Sequence, residues 1–167
     1  MKKKLAVYAG TFDPLTVGHL WMIERGAAIF DKLVVAIGVN FEKRCMFSLD
    51  ERLDMLRKST REFRNIAVDS YPNQLLIAYA QSIGAEFMLR GIRTAGDYEY
   101  ERTMRYVNSD LNPGITTVFL QPPREFVEIS SSVVKGLIGP DGWETAVKRY
   151  VPDPVFEKLR EVVLGKS

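Results

Sequence analysis

Short apolar runs alternate along this chain with longer stretches in which apolar residues return every three or four positions. Leu5-Ala6-Val7-Tyr8-Ala9 carries no charge and stops at Gly10, the pattern of a strand buried on both faces. Lys32 to Val39, Ile66 to Ser70, Phe87 to Leu89 and Ile115 to Leu120 read as further strands. Between them, Gly18 to Phe30 sets Leu20, Ile23, Ala27 and Phe30 at helical spacing. Ser48 and Glu51 form a capping box for a helix that buries Leu49, Leu53 and Leu56 and fades near Thr60. Gln74 to Ile83 is a helix stopped by Gly84. Tyr98 to Leu111 is another, with Glu101 and Arg105 spaced to pair along it, ending before Asn112-Pro113-Gly114. Ser131 to Leu137 opens one more, and Asp153-Pro154 supplies the N-cap and first turn of a last helix ending at Gly165.

Strands alternating with helices predict an α/β fold: a Rossmann-like, doubly wound, five-stranded parallel sheet with helices on both faces and a C-terminal helical appendage. Nothing repeats and no linker interrupts the chain, so residues 1–167 are expected to form a single domain, with 139–167 as the helical extension. At 46% hydrophobic and 26% charged, its 167 residues suffice for one core and exclude disorder or a coiled-coil rod. A net charge of +2 is too balanced for a nucleic-acid binder held by bulk charge. Cys45 is the only cysteine, which excludes an internal disulfide and points to a reducing, cytoplasmic setting. The charges of Lys2-Lys3-Lys4 suit a signal peptide, but the apolar run behind them is too short for one. No stretch approaches the ~20 apolar residues of a membrane span.

In a parallel sheet the loops leaving the strands' C-terminal ends share one edge, where ligands bind. Here those loops are unusual. Gly10-Thr11-Phe12-Asp13-Pro14 and Thr16-Val17-Gly18-His19 follow the first strand, and Glu42-Lys43-Arg44 the second. Arg90-Gly91-Ile92-Arg93 follows the fourth strand, and Arg124 with Ser130-Ser131-Ser132 the fifth. Forked arginines, a lysine, hydroxyls and a helix N-terminus on one rim suit a polyphosphate. The first loop has neither the dinucleotide-binding glycine pattern nor a Walker lysine. His19, the sole histidine, sits in a helix's first turn behind a glycine that admits a ligand; without histidine or cysteine partners it does not suggest zinc. Arg90 directly follows an apolar strand, so either a ligand or a buried carboxylate must answer its charge. Arg93 has Asp97 and Glu101 within helical reach. Either Lys43 or Arg44 is the loop cation that reaches the phosphates.

Gly10-Thr11-Phe12-Asp13-Pro14 with Thr16-x-Gly18-His19 resembles the first motif of the nucleotidylyltransferase superfamily, and Ile129-Ser130-Ser131-Ser132-x-x-Lys135 resembles its second. Thr16 where many relatives have histidine, the Lys43 to Ser48 stretch, and Arg-Gly-Ile-Arg (90–93) followed by Asp-Tyr-Glu-Tyr-Glu (97–101) resemble the bacterial phosphopantetheine adenylyltransferase family within it. The likeness runs from about residue 5 to residue 164. One departure is Asn40-Phe41-Glu42-Lys43, which lacks the proline common before that lysine; another is serine at Ser132 in place of threonine.

That resemblance implies transfer of the adenylyl group of ATP to 4′-phosphopantetheine, giving dephospho-coenzyme A and pyrophosphate. It implies that Thr11, Lys43 and Arg90 contact the acceptor phosphate and that Leu76 lines the pantetheine arm. Thr11, Phe12, His19, Gly91, Ile92, Arg93 and Glu101 would form the ATP site with Phe126, Val127, Glu128, Ile129, Ser130, Ser131 and Ser132. His19, Lys43 and Arg90 would be the catalytic residues. Mg²⁺ is expected on the phosphates without protein ligands, and a homohexamer built as a dimer of trimers as the assembly. The competing readings are the same chemistry on another acceptor, such as nicotinamide mononucleotide or glycerol phosphate, and a noncatalytic nucleotide sensor. Neither nucleic acid nor a membrane is an expected partner.

Overall fold

The computed structural model describes residues 3–39 and 44–165. Its strands are β1 (Leu5–Gly10), β2 (Lys32–Gly38), β3 (Ile66–Tyr71), β4 (Phe87–Gly91) and β5 (Thr116–Leu120). They form one parallel sheet in the order β3-β2-β1-β4-β5. β1 is central, in register with β2 from Leu5 opposite Lys32 to Gly10 opposite Ile37. Its other edge pairs with β4 from Ala6–Phe87 to Tyr8–Leu89. Ala6 to Ala9 are buried, because this strand has neighbours on both edges and helices on both faces.

The helices are α1 (Val17–Ile29), α2 (Leu49–Thr60), α3 (Leu76–Ser82), α4 (Ala95–Leu111), α5 (Arg124–Val127), α6 (Ser131–Leu137), α7 (Trp143–Val147) and α8 (Asp153–Leu164). The pleat divides the core between the faces. Leu33, Val35 and Ile37 of β2 join Ile23 of α1, Leu56 of α2, Val134 of α6 and Trp143, Val147 and Leu159 of the C-terminal helices. Val34 and Ala36 point the other way, with Val7 and Met88, onto Ile77, Tyr79 and Ala80 of α3. Gly26 lets α1 lie close on the sheet: a Cβ there would come within 2.8 Å of Leu89 and 2.9 Å of Leu33. Helix α4 buries only Glu101. No helix among the described residues is long and apolar enough to cross a membrane.

The α/β reading holds, and its departures are local. α1 starts one residue before the expected Gly18, because Thr16 caps it. α4 starts three residues before Tyr98, capped by the Thr94 hydroxyl on the Asp97 N–H. Pro152, not Asp153, is the residue before α8, which leaves Pro154 in the first turn. Short α5 and α7 are too brief to leave a periodic pattern. Glu101 reaches across to Arg90 on β4 rather than along its helix to Arg105.

The loop between β1 and α1 is tied down from four directions. The Asp13 carboxylate is 3% exposed and accepts from Met46 N–H at 2.8 Å, Phe47 N–H at 3.0 Å and Lys135 Nζ at 3.2 Å. The buried Arg52 of α2 donates to the Thr11 carbonyl, Ser131 Oγ donates to the Pro14 carbonyl, and Val17 N–H to the Tyr150 carbonyl. The Asp13–Pro14 peptide is cis. Replacing Asp13 with alanine strands two backbone donors and one lysine. Asp13→Ala is therefore expected to cost roughly 3 kcal/mol, read as a lower urea midpoint for unfolding, with Asp13→Asn intermediate.

Candidate active site

The order of strands reverses between β1 and β4, and the crevice at such a switch point is where open α/β sheets hold ligands. A cleft of about 650 Å³ opens there. Thr11 and Phe12 line it from the first loop, His19 from α1, Arg44 from the loop before α2, Arg90 and Gly91 from β4, and Arg93 from the turn into α4. Phe126, Ile129, Ser130, Ser131, Ser132 and Lys135 close the far side. A second cleft of about 380 Å³ lies beside the first, lined by Gly10, Thr11, Tyr71, Leu76, Met104 and Asn108 among others. Arg90 and Glu101 line both.

The backbone of the first loop is shaped around Phe12. This residue adopts φ 48°, a left-handed conformation that costs a side-chain-bearing residue about 1–3 kcal/mol. Burial of its ring, edge-on to Tyr8 and to His19 with centroids at 5.6 and 5.2 Å, holds it there. Gly10 leaves the space: a Cβ would lie 3.0 Å from Phe12 Cζ.

His19 completes the cap of its own helix. Its N–H donates to Thr16 Oγ1, and its Nδ1 accepts from the Thr16 N–H at 3.1 Å, with the Thr16 hydroxyl at 3.0 Å. An Nδ1 that accepts carries no proton, so the neutral ring keeps its proton on Nε2, the polar atom left for the cleft. Burial, reinforced by the nearby Arg93 charge, lowers the imidazole pKa to about 4. The site thus presents a neutral donor rather than an imidazolium.

Arg90 is answered by a carboxylate. Its Nε donates to Glu101 Oε2 at 2.9 Å and its Nη2 to Oε1, a two-point fork, while Nη1 donates to the Ala9 carbonyl at 3.3 Å. Burial works against the guanidinium charge, but the hydrogen bonds and charge of Glu101 outweigh it and raise the pKa. Arg93 pairs with Asp97 at 3.2 Å rather than with Glu101, and its Nη1 reaches the Ile129 carbonyl at 3.4 Å. That joins the start of α4 to the turn before α6. Of the three serines, Ser130 caps α6 through the Val133 N–H, Ser131 is bound to Pro14, and exposed Ser132 keeps its hydroxyl at the cleft.

Residues 7–137 match the cytidylyltransferase-like family model. The chain is 60% identical over 156 residues to the phosphopantetheine adenylyltransferase of Chromobacterium violaceum, covering 93% of this chain and 95% of that one. It is 41% identical over 158 residues to the protein of that name from Caldanaerobacter subterraneus, covering 95% and 96%. This chain belongs to the phosphopantetheine adenylyltransferase family. Its fold extends further: the solved Plasmodium falciparum nicotinic acid mononucleotide adenylyltransferase complexed with NaAD superposes with a TM-score of 0.67 at 12% identity, each chain 95% covered.

Within this phosphopantetheine adenylyltransferase family member, most residues singled out from sequence converge on the two clefts. Thr11, Phe12, His19, Arg90, Gly91, Arg93, Glu101, Phe126, Ile129 and Ser130 to Ser132 line the large one, and Leu76 lines the second. Ile92, Val127 and Glu128 line neither; the Ile92 N–H is spent on the Leu120 carbonyl between β4 and β5. Arg124 is exposed on α5, outside both clefts. Lys43 lies outside the described residues, whereas Arg44 lines the large cleft. Tyr8, Cys45 and Tyr100 line it without having been anticipated, and Tyr71 lines the second. Tyr71 closes β3, so the strand-end rule that found the other loops could have found it. The His19 ring should titrate with a midpoint near 4: its carbon and nitrogen resonances should stay constant from pH 8 to 5.5 and move only below. Because the unfolded chain binds that proton near 6.5, His19 should also lower folding stability as pH falls between those values.

Proposed function

We propose that this protein transfers the adenylyl group of ATP to 4′-phosphopantetheine, forming dephospho-coenzyme A and pyrophosphate in coenzyme A biosynthesis. The observation that carries the assignment of substrates to sites is the pair of adjoining clefts with Arg90 in the wall between them. The larger, rimmed by His19, Arg93, Lys135 and the serines, suits a nucleoside triphosphate. The smaller, with Leu76 and Met104 in its lining, suits an extended and partly apolar arm whose phosphate ends at Thr11 and Arg90.

The chemistry follows from charge. A phosphate monoester has a second pKa near 6, so the acceptor oxygen is anionic at neutral pH and needs no general base. It attacks the α-phosphorus in line; the new P–O bond forms as the bond to the β-phosphate bridging oxygen breaks, and pyrophosphate leaves with the electron pair. The barrier is repulsion between anions, which positioned donors lower. Arg90, with Lys43, holds the nucleophile. The Nε2–H of His19 donates to an α-phosphate oxygen as charge builds there. Arg93, the serine hydroxyls and the first N–H groups of α6 receive the β- and γ-phosphates.

Magnesium belongs to the same proposal. The cleft carboxylates Asp13, Asp97 and Glu101 are each engaged by a cation, so phosphate oxygens and water would hold the ion. When bound, it supplies positive charge against the leaving pyrophosphate. A cytoplasmic location, where ATP is plentiful, and a homohexameric assembly complete the reading. The assembly is supported by α4, which exposes Tyr98, Tyr100, Tyr106, Val107 and Leu111 while burying only Glu101.

Pyrophosphate should be released from ATP when phosphopantetheine is added and not with nicotinamide mononucleotide or glycerol phosphate. Release with either of those would move the protein to another acceptor, and no release with any would leave a sensor. His19→Ala should lower kcat by about a hundredfold or more while ATP affinity changes little; unchanged turnover would remove His19 from the mechanism. Light scattering on the eluting protein should give six times the 19.0 kDa chain mass; a monomer mass would refute the assembly.

A further inference from the structure

The Arg90–Glu101 ion pair lines both clefts. Both carboxylate oxygens of Glu101 are taken by Arg90, and its side chain is only 10% exposed. Arg90 keeps 28% of its side chain exposed, so of the two it is the cation that faces open space. A guanidinium has five N–H donors. Two are spent on Glu101 and one on the Ala9 carbonyl, which leaves one on Nη1 and one on Nη2 for a ligand.

We propose that Glu101 is a positioning residue for the acceptor phosphate: it clamps the Arg90 guanidinium side-on in the wall between the clefts so that the two remaining N–H groups meet that phosphate. This rests on the assignment of Arg90 to the acceptor given above. The physical need is plain. An arginine side chain has many rotamers to lose on binding, and its directional donors help only if the plane is fixed before the ligand arrives. A two-point carboxylate grip fixes the plane, while the Ala9 carbonyl fixes its tilt against β1. The same grip neutralises Glu101, whose charge would otherwise repel both phosphates entering the site.

Glu101→Asp separates geometry from charge, since it keeps the carboxylate but withdraws it by one methylene. Glu101→Asp should lower kcat/KM for phosphopantetheine by about tenfold, equivalent to 1.4 kcal/mol. The Kd for a nonhydrolysable ATP analogue, measured calorimetrically without acceptor, should stay within about twofold. Arg90→Lys keeps the charge but loses the fork, and the double variant should lose no more than the worse single one, because both remove the same fixed donor pair. A tenfold weaker analogue Kd with acceptor kcat/KM preserved overturns the proposal, as does no change in either, or losses that multiply in the double variant. If Glu101→Asp melts below the assay temperature, Glu101→Gln is measured by the same two quantities with the same readings. A wild-type protein that releases no pyrophosphate with phosphopantetheine would instead defeat the assignment of function on which the proposal stands.

Discussion

The buried Asp13 carboxylate is the constraint on which the site depends. It takes two backbone donors from the loop before α2 and the ammonium of Lys135 on α6, so three segments remote in sequence meet on one group. A carboxylate at 3% exposure is expensive to desolvate, and it is retained because its acceptors are satisfied within the fold. Around it the backbone of residues 11–17 is held by Arg52, Ser131 and Tyr150. That rigidity keeps Phe12 in its left-handed conformation and His19 at the mouth of its helix, where small displacements would matter most to a reaction governed by positioning.

The electrostatic logic of the cleft is pairing first and binding second. Asp97 and Glu101 each hold an arginine in place, and each arginine keeps donors to spare after that pairing. An isolated cluster of arginines would repel itself and wander; arginines gripped by carboxylates present oriented N–H groups at little net charge. His19 follows the same principle from the other direction. Its ring is kept neutral by burial and by Arg93, and the Thr16 cap selects the tautomer. Directional donors, rather than surplus positive charge, are what this site offers to phosphate.

Those positions show why parts of the site were legible and parts were not. The strand-end loops could be found because each breaks an apolar run with residues that have no business in a core, as Arg90 does after Met88 and Leu89. The capping role of Thr16 was hidden, since histidine stands where a capping box normally has glutamate or glutamine. Ile92 looked like part of the arginine block, but its N–H extends the sheet. Glu101 looked equally suited to pair with Arg105 one turn on, and only the packing of α4 beside β4 chose Arg90.

By itself, the sequence determined the alternation of strands and helices, the edge of the sheet that carries the chemistry, and the family to which its motifs belong. Those follow from periodicity, local capping and spacing, which act over a few residues and survive in one dimension. The tertiary structure decided which carboxylate answers each arginine, which nitrogen of His19 keeps its proton, and that two clefts share one wall. Each of these depends on groups from separate elements brought within hydrogen-bonding distance in a desolvated space, where a difference of an ångström selects one partner over another that is equally close along the chain.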